Sequence, residues 1–307
     1  MGGWNDAFPL FEKGSIVMRI GGRTARVVLV VGLVGSQIWL MSAPAHAISD
    51  TCIFDKTNAV VSSYGGSPGF AYRFVREAGT KKIRFVASGG EMYCQDGATK
   101  ATVTNTDYIQ FAGTDSDEGF VIDLSNGPFE PGLHPESVGA PEIEFDIDLF
   151  GGTDPVSVVG GPSDDRIMFK GPGYLRLNAD GDNDVSITSL EARLVYGGGG
   201  DDRISIDYLH DWLQPVSFTG GPGNDELTGG DAADVLDGGA GNDLIDAQAG
   251  LDTLDGGGGL DSLSGGKDAD TMHANDGRSD SLSCGSGVDD ASDHDAFDTI
   301  AASCEIV

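Results

Sequence analysis

Basic charge is scarce in this chain. Its 307 residues carry 18 Lys and Arg against 49 Asp and Glu, a net charge of −31. So few cations cannot neutralise a phosphate backbone, which excludes nucleic acid as a partner. Histidine is rare, at 5 residues, and no H-E-x-x-H occurs, which removes a zinc-protease helix. The 4 cysteines never fall in C-x-x-C spacing, so neither a zinc ribbon nor a thioredoxin-like redox site is encoded. Sustained helical periodicity is missing throughout. The longest apolar-rich run, Val27 to Met41, falls short of the roughly 20 residues that span a bilayer.

Hydrophobic residues make up 39%, enough for an ordered core. Arg19, Arg23 and Arg26 precede the apolar run, and Ala45-His46-Ala47 follows it. That order reads as a signal peptide over 1–47, cut after Ala47, which leaves an exported chain without a membrane span. The residues before Met18, Asp6 and Glu12 among them, fit no part of such a signal, so translation is expected to start at Met18. In an oxidising compartment four cysteines suggest two disulfides, for which three pairings exist. Cys52 with Cys94 and Cys284 with Cys304 are favoured, because each pair closes a local loop at one end of the mature chain.

Residues 48–141 read as a β-rich region. Lys82 to Val86 and Tyr108 to Phe111 alternate, Phe120 to Leu124 is denser, and Gly- or Asp-rich breaks separate them. Pro128, Pro131, Pro135 and Pro141 mark a loop. Over 142–218 the pattern is a degenerate solenoid. It opens with a strand in which Ile143, Phe145, Ile147 and Leu149 alternate with Glu142, Glu144, Asp146 and Asp148. Gly151 to Asp154, Gly160 to Ile167 and Gly197 to Ile204 follow as forerunners of a repeat, the last two 37 residues apart.

From Gly220 to His273 the repeat is plain. In blocks of nine, Asp stands sixth at Asp225, Asp234, Asp243, Asp252, Asp261 and Asp270, and an apolar residue stands eighth, from Leu227 to Met272. Such short self-similarity marks a solenoid, here the region 219–283, with 284–307 as a C-terminal cap. Glycine at positions one, two and four permits positive φ and close backbone approach. Position eight points inward from a short strand. Two blocks, 18 residues, make one flattened coil with turns on both edges, and successive coils lie ~4.8 Å apart. Stacked carboxylates at that spacing repel by roughly 3 kcal/mol at an effective dielectric of about 20. A hard divalent cation between turns reverses the sign. Ca²⁺ suits better than Mg²⁺, because it takes six to eight oxygens at flexible geometry and accepts backbone carbonyls.

These blocks resemble the RTX, or hemolysin-type, calcium-binding nonapeptide G-G-x-G-x-D-x-U-x, which Gly197 to Ser205, Gly220 to Thr228, Gly238 to Asp246 and Gly256 to Ser264 match in full. The resemblance implies an all-β parallel β-roll. It also implies calcium between turns of consecutive coils, held by Asp225, Asp243 and Asp261 with backbone help from Gly221, Gly223, Gly239, Gly241, Gly257 and Gly259. On the other edge Ala232 and Asp268 replace the fourth glycine, and Ala247 and Gln248 the first two. Calcium at Asp234, Asp252 and Asp270 is therefore expected to be weaker, and Asp165 and Asp202 extend the set among irregular turns.

Other patterns compete poorly. Asp180, Asp182, Asp184 and Glu191 have EF-hand spacing, yet Val185 occupies the obligatory glycine position. Gly65 to Gly69 satisfies G-x-S-x-G, but Pro68 blocks the turn and too little chain precedes it for the required strand. His134, His210, His273 and His294 are scattered surface residues. The expectation is a secreted, non-enzymatic calcium-binding protein. The alternatives are an adhesive module with a cell-surface or glycan partner, and a polysaccharide-active solenoid using the Glu142 to Asp148 carboxylates.

Overall fold

The computed structural model describes residues 50–304 except 66–69, 88, 115–116, 131–142, 151–152, 172, 179–183, 189–191, 208–213 and 288–289, together with strand backbone between 14 and 39. All regular elements among them are strands, and no described helix is long and apolar enough to cross a membrane. The chain divides into Met1–Ser49 and Asp50–Val307. In the first unit Gly14–Ile20 pairs antiparallel with Arg23–Leu29, and Gly32–Val34 with Gln37–Trp39. The expected cleavage site at Ala45 to Ala47 lies outside the described residues, as do Asp180, Asp182, Glu191, Gly151, Gly152, His134, His210, Pro131 to Pro141, and 66–69 of the G-x-S-x-G match.

In the second unit the chain passes back and forth between a 15-stranded and an 11-stranded sheet. The expected parallel roll is present, because most strands pair parallel with a counterpart one coil away. In the first sheet Leu227 is in register with Ile245, then Leu263, then Leu282. In the second, Phe218 is in register with Leu236, then Leu254, then Met272. Identical inward positions therefore stack along the axis, and the burial alternates as a strand facing one core requires.

The filling of that core changes along the molecule. Between Phe54 and Phe145 it is aromatic: Phe111 and Phe120 have ring centres 4.7 Å apart, Phe74 and Phe85 5.0 Å. From Leu227 on, most first-sheet strands are three residues long and bury one apolar side chain each. Little apolar area is removed from water per coil there, so those turns need another source of stability.

The 37-residue spacing between the blocks that begin at Gly160 and Gly197 has a structural cause. Arg166–Phe169 pairs parallel with Arg203–Ile206 as adjacent coils should. The chain between them adds Tyr174–Arg176 and Val185–Thr188 as antiparallel strands of the same sheet before crossing to Ala192–Tyr196 in the other. Asp184 stands at the start of this second insertion strand and accepts a hydrogen bond from the Leu177 N–H. The described elements on either side are strands, not the helices an EF-hand needs.

At the N-terminal end of the roll both sheets are closed by local pairing. Thr51–Asp55 lies antiparallel on Val60–Tyr64, and Ile83–Ala87 followed by Gly90–Tyr93 closes the other sheet. The disulfide Cys52–Cys94 ties these together, and Cys284–Cys304 pins the last coil, both as the loop argument expects.

Candidate metal centre

Each repeat places a turn at the roll's edge and a short strand after it. The turn's second glycine is left-handed, with φ of 115° at Gly221, 100° at Gly239 and 80° at Gly257. So is the fourth at Gly223 and Gly241, with φ of 152° and 144°. Position one departs from the expectation of positive φ. A Cβ on Gly220, Gly238 or Gly256 would lie 2.3, 2.5 or 2.7 Å from Oδ2 of Asp225, Asp243 or Asp261. There glycine is demanded by the carboxylate folded over it. Stacking adds its own demand, since a Cβ on Gly241 or Gly259 would meet the carbonyl oxygen of the preceding coil at 1.5 Å.

The aspartates at position six form two ladders, one per edge. On the first edge the Asp225 N–H donates to Asp243 Oδ1 at 2.7 Å, and Asp243 N–H to Asp261 Oδ1 at 2.8 Å. The ladder extends upstream through Asp165 and Asp202, each donating at 2.7 Å to the next aspartate, and downstream through Asp280 to Asp298. On the second edge Asp234 donates to Asp252 at 2.7 Å and Asp252 to Asp270 at 3.0 Å. Each carboxylate therefore spends one oxygen on the backbone of the coil before it.

The other oxygen is the informative one. Oδ2 of Asp202, Asp225, Asp243, Asp252, Asp261 and Asp280 is buried without a hydrogen-bond partner, on side chains no more than 3% exposed. A buried polar atom left unpaired costs about 1–3 kcal/mol, so the five stacked on the first edge, and Asp252 on the second, call for the same kind of partner. Asp234 differs: both its oxygens are engaged, by Val216 and Gly230 N–H groups at 2.9 and 2.7 Å. Asp165 Oδ2 likewise accepts from the Gly161 N–H at 2.6 Å. Burial pushes the carboxyls of Asp202, Asp252 and Asp261 up to about 7 and those of Asp234 and Asp243 up to about 6. Neighbouring carboxylates add to the rise at Asp202, Asp243, Asp252 and Asp261, while the Arg193 charge opposes it at Asp234.

Among the described residues no three Asp, Glu, His or Cys side chains converge on one point. One carboxylate per turn and a stack of glycine carbonyls is a donor set of oxygen alone, dominated by backbone. It fits a large hard cation of flexible coordination and does not fit zinc or copper. Residues 194–205, 219–254 and 246–279 match the RTX calcium-binding nonapeptide repeat, in 4 copies. These turns are RTX calcium-binding repeats. Calcium is thus the ion of the RTX segment, and such repeats are binding and structural modules rather than catalytic domains. No curated protein and no solved structure matches the chain.

Two features of the RTX edge escape a reading of the sequence. Asp280 and Asp298 continue the first ladder although Asp280 stands 19 residues after Asp261, which breaks the period of 18. At position five a second ladder runs in the opposite sense. The Asp201 N–H donates back to Asp164 Oδ1 at 2.9 Å, Asn224 to Asp201 at 2.8 Å, Asn242 to Asn224 at 2.9 Å and Leu260 to Asn242 at 2.9 Å. The only sequence signal for it is the recurrence of Asp or Asn just before the sixth-position Asp of the block.

Proposed function

We propose that this protein is exported and that calcium, held between neighbouring RTX turns, is the ligand that folds its C-terminal coils. Asp225, Asp243 and Asp261, with carbonyls of Gly221, Gly223, Gly239, Gly241, Gly257 and Gly259, form the principal set of ligands, and Asp202 extends it. The observation that carries this reading is the row of buried, unpaired Oδ2 atoms on one edge. On the other edge Asp252 offers such an oxygen, whereas Asp234 is already satisfied by two N–H groups. Asp234, Asp252 and Asp270 are accordingly the weaker set, and Asp165 is the weakest of the first edge.

The energetic role follows from mass action. For a site with Kd of about 0.1 mM, typical of extracellular modules, ~1 mM calcium adds on the order of 1.4 kcal/mol. Several such sites decide whether narrow coils with one buried side chain per strand stand at all. Export through a cleaved 1–47 leader would deliver the chain to a compartment where calcium is abundant and disulfides form. Circular dichroism and thermal melting of the full chain, with calcium and with chelator, test the folding role. An unchanged spectrum and melting temperature would refute it. In a calcium titration Asp243→Ala is expected to lower stoichiometry more than Asp252→Ala, and equal losses would sink the two-edge assignment. N-terminal sequencing of the exported protein is expected to begin at Ile48.

A further inference from the structure

The outer face of the first sheet carries a groove of 340 Å³, away from the turn edges that hold the RTX glycines. Ser205 lines it. This side chain points away from the core, in register with Met168 on one neighbouring strand and Thr228 on the other, yet is only 7% exposed. Its hydroxyl is buried with no hydrogen-bond partner. An unmade hydrogen bond of that kind disfavours the empty fold, and a ligand in the groove would supply the missing partner.

The walls define the ligand. Lys170 Nζ lies 2.5 Å from Asp207 Oδ2, and Arg203 is ion-paired with Glu226. Both cations facing the groove are therefore already matched, so an anionic ligand would find no spare positive charge. An extended peptide has nothing to add to, because strands inside a sheet have no unpaired main-chain groups. A neutral polyhydroxylated molecule fits: its hydroxyls can donate to the carboxylates and accept from the ammonium, the guanidinium and Ser205. Its C–H faces would rest on Met168 and on Leu244, which is 49% exposed. The polar groups also recur across the strands, Ser205, Thr228, Asp246 and Ser264 being successive register partners at ~4.8 Å spacing. That step is comparable to the length of one pyranose ring, and the volume lies in the range of small-molecule sites.

We propose that this groove binds a neutral carbohydrate chain, lying across the strands, with the Ser205 hydroxyl and the Arg203–Glu226 pair as its central contacts. The test uses the full chain in calcium, titrated with cellotetraose, laminaritetraose and mannotetraose, with a tetragalacturonate as charged control, and read by saturation-transfer NMR and calorimetry. At least one neutral tetrasaccharide is expected to bind. Ser205→Ala should weaken it about fivefold, the worth of one neutral hydrogen bond, with the melting temperature unchanged or raised. Glu226→Gln, on a more exposed side chain, should weaken it similarly. Failure of all three neutral sugars, binding of the uronate alone, or full affinity in Ser205→Ala would each overturn the proposal. Loss of calcium response with retained sugar binding would count against the folding role and leave the groove standing.

Discussion

Gln248 and Asp268 sit where the repeat asks for glycine. Both adopt left-handed backbone, with φ of 81° and 72°, so the worn edge keeps the geometry of an RTX turn and bears strain in doing so. A non-glycine residue there costs roughly 1–2 kcal/mol. Gln248→Gly and Asp268→Gly are each expected to raise stability by about 1 kcal/mol, read as a higher urea midpoint at constant calcium. Gly238→Ala works in the opposite direction by another route. Its methyl group would be driven against Asp243 Oδ2 at 2.5 Å, so both calcium stoichiometry and melting temperature should fall. A tolerated alanine at Gly238 would show that the carboxylate has room to move.

At the scale of the turn ladder, pH provides a lever with a definite sign. The folded values of Asp202, Asp252 and Asp261 are raised from 3.8 to about 7, and those of Asp234 and Asp243 to about 6. A raised carboxyl favours the folded state while protonated. Its contribution is complete below the unfolded value and is lost as pH rises through the folded one. The chelated protein should therefore melt higher near pH 5 than near pH 8, and calcium should matter most at the alkaline end. A chelated form that melts higher at pH 8 would contradict this. The same ladder shows what was readable from the letters alone. Asp225, Asp243 and Asp261 recur every 18 residues, so their common edge is visible before any coordinates exist. Asp280 was hidden by one extra residue, and the position-five ladder by the interchange of Asp, Asn and Leu. Upstream, the wider coils from Val60 onward carry long connections and an inserted strand pair, so no fixed period marks them although they belong to the same two sheets.

Across the whole molecule, the two disulfides stand at ends of different character. Cys52–Cys94 joins strands over an aromatic core, whereas Cys284–Cys304 closes a 20-residue separation over the narrowest coils. Chain-entropy reasoning gives about 3 kcal/mol for a loop of that size. Replacing Cys284 and Cys304 with serine should raise amide exchange from Thr271 onward in chelator, while the region around Phe74 and Phe120 stays protected. Uniform loss of protection would show that the roll unfolds as one unit.

The passage from wide aromatic coils to narrow aliphatic ones gives the molecule a polarity. Each narrow coil rests chiefly on its neighbours, so order should spread stepwise from the aromatic end as more turns find their ion. The number of standing coils is then expected to rise with ambient calcium. Scattering measurements across a calcium series should show a graded increase in length in place of a single jump.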